Sequence, residues 1–391
     1  MLRCTGLYTY EIDDAEIALA DIKAQLEDNL KLLKNTVGIL MCHPEFIASG
    51  VVKHICEGLP FDVVGSTTAS QAVNNEVGEL ILTIFVITSD EVWFKTGVTE
   101  QLDEGIDEPV VKAFEKASSK ASEPPGLVLI FTPLILKYSG DSYIYAIQKI
   151  MPSVPIFGAI AIDDTADHGL CETIHNGENY LAAMPFVLCY GNINPRFIVG
   201  TFPEENVMPY KGEITKSSGS LVQEINNIDA CSYFESIGFV KDGVLLGKFN
   251  LMPFAIDQKK RVDYDGISVV RGLAVVNEDK TIRFRGDVDE GSVFTLLACE
   301  VDDVLSVTME KIEQINALQK VNGALMFSCI VRRMMTMRDN PHKELEVVTE
   351  VLKTDIPFMM SYAGGEICPT LMKDGVPTNR FHNYSLVILV L

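Results

Sequence analysis

The sequence predicts an α/β protein of two domains, built from repeated strand-helix-strand-strand modules that form mixed sheets covered by helices. Three observations carry this reading. Short runs that are apolar at nearly every position alternate with stretches of helical period. The same order of elements recurs in three places. A chain of 391 residues also exceeds what one ordinary core holds.

A helix comes first, with Leu19, Ile22, Leu26, Leu30 and Leu33 on one face and Asp13 or Asp14 as its cap. The first module runs from an apolar strand over 36–42, through a short helix carrying Ile47, Val51 and Ile55, to a return strand over 61–64. A polar gap and a strand over 80–86 complete it. The second module has strands over 127–132, 154–160 and 180–188, with a helix over 143–150. The third has strands over 323–329, 356–360 and 384–390, with Leu345, Val348 and Leu352 on its helix. Two strands joined by a helix pair in parallel with a right-handed crossover. Strands this apolar need cover on both faces.

Residues 196–319 read differently, as hairpins at Ser218-Gly219 and at residues 277–280, a helix over 230–237 capped by Asp229, a strand over 293–298, and a helix carrying Leu305, Met309, Ile312 and Ile315. The expected division is an N-terminal helix in 1–34, a domain of two modules in 35–228, and a hairpin-rich segment with the third module in 229–391.

Net charge is −22, which makes nucleic acid and anionic membrane surfaces poor partners. No apolar run reaches the roughly 18 residues of a membrane span. The start of the chain has no apolar signal core, and the nine cysteines form no C-x-x-C pair. These features lead to the expectation of a cytoplasmic protein with free thiols. The six histidines show no metal spacing, so neither metal nor cofactor is expected. Residues 243–249 echo a phosphate loop but are one residue short and end in Phe249 where Ser or Thr is needed.

Open α/β folds bind ligands beyond the carboxyl ends of their strands. That edge selects Gly65, Ser66, Thr67 and Thr68 in the first module, with Cys42 and His43 across from them. It selects Asp163 and Asp164 in the second, near Thr132. In the third it selects Ser328, Cys329, Arg332, Gly365 and Glu366, joined by His382 and Asn383. Each residue also suits a plain turn. Arg332 either clamps an anionic ligand or pairs with an internal acid, for which Glu366 is the candidate. Paired with an ammonium-binding Glu366 or Asp163, it describes an amino-acid site. Cys329 with His382 is the alternative, a thiol-dependent hydrolase or transferase. A scaffold without a pocket is a third class.

These residues resemble the FIST family, an N domain followed by a C domain, from about Asn35 to the end of the chain. The marks are Val64-Gly65-Ser66-Thr67 and Phe157-Gly158-Ala159 with Asp163-Asp164, then Ile228-Asp229-Ala230, Val270-Arg271-Gly272-Leu273 and residues 286–291. Phe327-Ser328-Cys329 with Arg332, Gly365-Glu366-Ile367 and residues 381–385 follow. The resemblance implies a sensory role in signal transduction, with an amino acid or small carboxylate as ligand and no catalysis. Without an output domain in this sequence, a separate signalling protein would carry the signal on. Val331 stands where the family pattern leads one to expect glycine, and the loop 168–179 departs from it too.

Overall fold

The run Asn35–Cys42 forms a strand whose side chains divide between two cores. Val37, Ile39 and Met41 enter a central core, while Leu40 and Cys42 point the other way, under helices. This division explains why the strand is apolar at consecutive positions. The computed structural model describes residues 1–165, 167–202, 206–247, 252–257, 268–337, 340–373 and 376–391. Lys248 and Phe249 of the phosphate-loop echo lie outside these described residues.

Three six-stranded sheets share one plan. The first orders Leu2–Thr9, Leu82–Ser89, Asn35–Cys42 and Asp62–Thr67, then the hairpin Thr173–His175 with Glu178–Tyr180. The second orders Trp93–Val98, Pro185–Tyr190, Leu127–Thr132 and Ile156–Ile160, then Glu366–Lys373 with Val376–His382. The third orders Arg196–Gly200, Leu386–Val390, Ala324–Cys329 and Phe358–Ala363, then Gln71–Val73 with Glu76–Gly78. In each, the helix-linked pair in the middle is parallel, as expected.

The hairpins are exchanged in a cycle. The one that follows Asp62–Thr67 in the chain completes the third sheet. The one that follows Phe358–Ala363 completes the second, and the one that follows Ile156–Ile160 completes the first. What reads as polar gaps in the sequence is therefore cross-sheet pairing. Tyr180 belongs to such a hairpin, and the last strand of the second sheet begins only at Pro185.

The inner faces of the three sheets meet in one core. Phe327 from the third stacks on Phe157 from the second at 5.4 Å and meets Phe131 edge-on at 6.1 Å. Each such ring contributes about 2–3 kcal/mol by leaving water. The outer faces are covered by helices, Ala15–Asn29 on the first sheet, Asp107–Ser118 on the second and Val301–Ala317 on the third. Asp14 caps the first helix. The stretch before residue 34 also holds the edge strand Leu2–Thr9. On Val301–Ala317 the buried stripe is Val304, Thr308, Ile312 and Ile315, whereas Met309 faces solvent.

A fourth, seven-stranded sheet is inserted between Arg196–Gly200 and that helix. Its first strand, Val207–Ser218, pairs both with Val293–Leu297 and with Leu221–Ile225, which closes the sheet on itself. Phe234, Phe254, Phe284 and Phe294 fill its centre. Both hairpins expected here are present.

Gly65 and Gly158 sit where the return strands press on their parallel partners. A Cβ at Gly65 would run into the Leu40 carbonyl, and one at Gly158 into the Ile130 carbonyl. Gly65→Ala and Gly158→Ala should each cost about 3 kcal/mol or more, because backbone cannot yield. Urea denaturation checks this, with Gly105→Ala, where nothing lies within 4 Å, as the unaffected control.

Candidate functional site

The exchange brings the strand ends of all three sheets together. The Thr67 carbonyl accepts from Ile162 N at 3.3 Å, and the Thr68 hydroxyl donates to the Tyr362 carbonyl at 2.8 Å. Ile160 N donates to the Gly365 carbonyl at 3.0 Å. Gly65 to Thr68, Asp163, Gly365 and Glu366 thus belong to one rim, which is almost wholly buried.

Most of the polar groups on this rim have internal partners. Thr67 Oγ1 accepts from Glu172 N at 3.0 Å. Ser66 is packed beside the Met41 sulfur. Asp163 is the centre of its own loop, accepting from Thr165 N and Leu170 N, each at 2.7 Å. Burial pushes Asp163 up, but hydrogen bonds from Thr165, Leu170 and Cys171 outweigh it and hold the carboxyl below its ordinary range. Asp164 faces His43 at 3.2 Å.

Arg332 is fully buried, and its carboxylate partner is Glu344, not Glu366. Nε and Nη2 reach Glu344 Oε1 at 3.0 and 2.7 Å, and Nη2 also donates to Thr308 Oγ1 and the Val304 carbonyl. Ser328 donates to the other oxygen of Glu344 at 2.9 Å. The guanidinium thus ties the helix Val301–Ala317 to the helix Lys343–Val351. A carboxylate on the Leu345 and Val348 face of its helix is the signal that would have found Glu344.

Cys329 is not an activated nucleophile. Burial pushes its thiol up, the Glu366 carboxyl adds to this, and the pull of Arg285 does not offset it. His382 Nε2 lies 3.0 Å from the Cys368 carbonyl, where it donates.

On this rim the Thr132 hydroxyl has no hydrogen-bond partner among the described residues. Burial raises the pKa of Glu366 well above the ordinary range, although Arg332 and hydrogen bonds from the Ser385 backbone and the Cys329 thiol oppose this. Asn383 is buried and its Oδ1 has no donor among the described residues. Asn383 also lines a cavity of about 80 Å³ at the strand ends of the second sheet. The loop 133–139, Gly364 and the inserted sheet's Arg283 and Arg285 form its other walls. Arg283 Nη1 donates to Ser220 Oγ at 3.0 Å. Arg285 is exposed and makes no ion pair among the described residues.

One buried cluster holds the inserted sheet over this cavity. Arg271 donates to the Phe381 carbonyl at 2.9 Å, to Asp141 Oδ2 at 3.3 Å and to the Asp287 carbonyl at 3.3 Å. Asp287 N donates to the same Asp141 oxygen, and Ser139 donates to Asp287 Oδ1 at 2.7 Å. Gly286, with φ at 128°, has no side chain because a Cβ there would strike the Arg271 guanidinium. An arginine inside the apolar run 269–276 was the visible sign of this cluster.

Two family descriptions cover most of the chain in tandem. The FIST N domain matches residues 36–228 and the FIST C domain matches residues 232–369. The chain belongs to the FIST family. FIST domains are sensory, signal-transduction domains and not enzymes. No curated protein matches this FIST chain. Among solved structures, a cyanuric acid hydrolase from A. caulinodans is similar over 100% of this chain and 98% of its own, at 10% identity and a TM-score of 0.38. That likeness is too distant to bear on chemistry here.

Two outcomes follow from these clusters. Arg332→Ala leaves Glu344 charged, buried and unpaired, which should cost about 3–5 kcal/mol in urea denaturation. Burial, then the Asp141 charge, push Asp287 up to about 6 from 3.8. An acid that holds its proton more tightly when folded stabilises the fold at low pH. That contribution is complete below pH 3.8 and is lost as pH rises to about 6. Asp287→Asn should therefore gain stability relative to the parent, by at most about 3 kcal/mol, between pH 4 and pH 7. A difference that does not vary with pH would contradict this assignment.

Proposed function

We propose that this FIST protein is a cytoplasmic sensor for a small amino acid or carboxylate, bound in the cavity under the inserted sheet. The observation that carries the reading is the buried, unpartnered Asn383 Oδ1 in a wall shared with Arg283 and Arg285. The amide oxygen suits a ligand ammonium, and an arginine fork suits a carboxylate. Arg285 takes the anion-binding role first expected of Arg332, whose fork is filled by Glu344. Gly365, Glu366 and Cys329 back the site, and the remaining rim residues shape it.

At about 80 Å³ the cavity is well below the 300–1,000 Å³ of drug-sized sites. A ligand must therefore part the inserted sheet from the loop 133–139, which couples occupancy to shape. A separate signalling protein would read that change. The three sheets with one plan support an internal repeat, with the inserted sheet as a later addition to the third copy.

Thermal unfolding against a panel of amino acids and small carboxylates tests the proposal. A ligand at 100 times its Kd should stabilise by about 2.7 kcal/mol, seen as a rise in Tm. Arg285→Ala, at an exposed position, should abolish the rise while leaving the unliganded Tm unchanged. No stabilisation by any compound, or a full response in the variant, would sink the idea.

A further inference from the structure

A groove between the helix Asp107–Ser118 and the edge strand Trp93–Val98 lies apart from that cavity. It encloses about 650 Å³, within the usual size of small-molecule sites. The helix leaves it hollow because Ala113 and Ala117 face the strand where larger side chains would fill the gap. At Gly97 the Phe186 ring occupies the place of a Cβ, so an aromatic ring forms part of the floor. Trp93 is stacked on Tyr190 with ring centroids 3.8 Å apart and planes within 6°, so the indole is fixed in orientation.

The rim is cationic in a chain of net charge −22. Lys95, Lys116 and Lys120 line the groove, and no carboxylate among the described residues does. All three are exposed, and none makes an ion pair among the described residues. By contrast Lys53, Lys112, Lys149 and Lys311 each have a Glu or Asp within reach. The helix dipole accounts for lysines near a helix C-terminus. It does not account for Lys95 on the facing strand or for the fixed indole. His175, held neutral by burial despite Asp62, closes one end with Nε2 at 3.3 Å from Thr96 Oγ1.

We propose that this groove binds a nucleoside phosphate, with the base against Trp93 and the phosphates among the three ammonium groups. Base-aromatic stacking supplies about 1–3 kcal/mol. Lysines act on phosphate as point charges and need no fixed fork. The acidic remainder of the surface is a weak obstacle, because screening over about 8 Å at physiological salt lets the rim set the local field.

Trp93 is the single tryptophan of the chain, so its fluorescence reports on this groove alone. ADP should change that emission saturably, excited at the red edge that spares tyrosine. Adenosine and pyrophosphate should each bind at least about tenfold more weakly than ADP, having one half of the recognition each. The double variant Lys116→Ala, Lys120→Ala should lose at least about tenfold in affinity with unchanged far-UV circular dichroism, while Lys23→Ala on another helix loses none. No saturable change with ADP overturns the proposal. So does undiminished affinity in the double variant, or pyrophosphate binding as tightly as ADP.

Discussion

Each of the three six-stranded sheets ends in a hairpin contributed by a neighbouring sheet, and the hairpin that follows its own return strand crosses to another. The neighbour does the same, and after three such steps the ring closes. Backbone ladder bonds are obligatory once buried, so no sheet can be complete while another is missing. The common rim follows from this closure. Thr68 meets Tyr362, and Ile160 meets Gly365, because their strands are held by hairpins from elsewhere. The cavity stands on that rim, and the inserted sheet roofs it.

Two buried arginines fix what the ladders leave free. Arg332 locks two helices on the third sheet through Glu344, and Arg271 locks the inserted sheet to the second sheet through Asp141. Desolvating such pairs offsets most of their attraction, so their net contribution to stability is small although breaking one is costly. Their geometry is the larger effect. Each guanidinium donates to several fixed acceptors, which allows one relative placement of the elements it joins.

The parallel pairs, their crossover helices and the hairpins of the inserted sheet were legible in the sequence, because continuous apolar runs and turn residues encode them locally. The edge strands Trp93–Val98 and Arg196–Gly200 were not. They are half-buried and mix lysine, arginine and aromatics without a clean period. The exchanged hairpins are three residues long in places, as at Gln71–Val73, and their pairing is a tertiary fact. Several residues selected by the strand-end rule lie together on one rim. The rule could not tell which rim groups were occupied, since Glu344 lies on a later helix and Arg285 on the inserted sheet. Asn383 was within reach of sequence reasoning, whereas the open valence of its oxygen was not.

The position of the inserted sheet has a consequence for how such a chain can grow. It enters between Arg196–Gly200 and Val301–Ala317, a junction that takes no part in the hairpin cycle. The corresponding junctions, between Leu2–Thr9 and Ala15–Asn29 and between Trp93–Val98 and Asp107–Ser118, are short loops at the same place in the plan. Lengthening the chain at any of the three leaves the closed ring intact. New modules can accumulate at three equivalent ports, and in this chain one of them is filled.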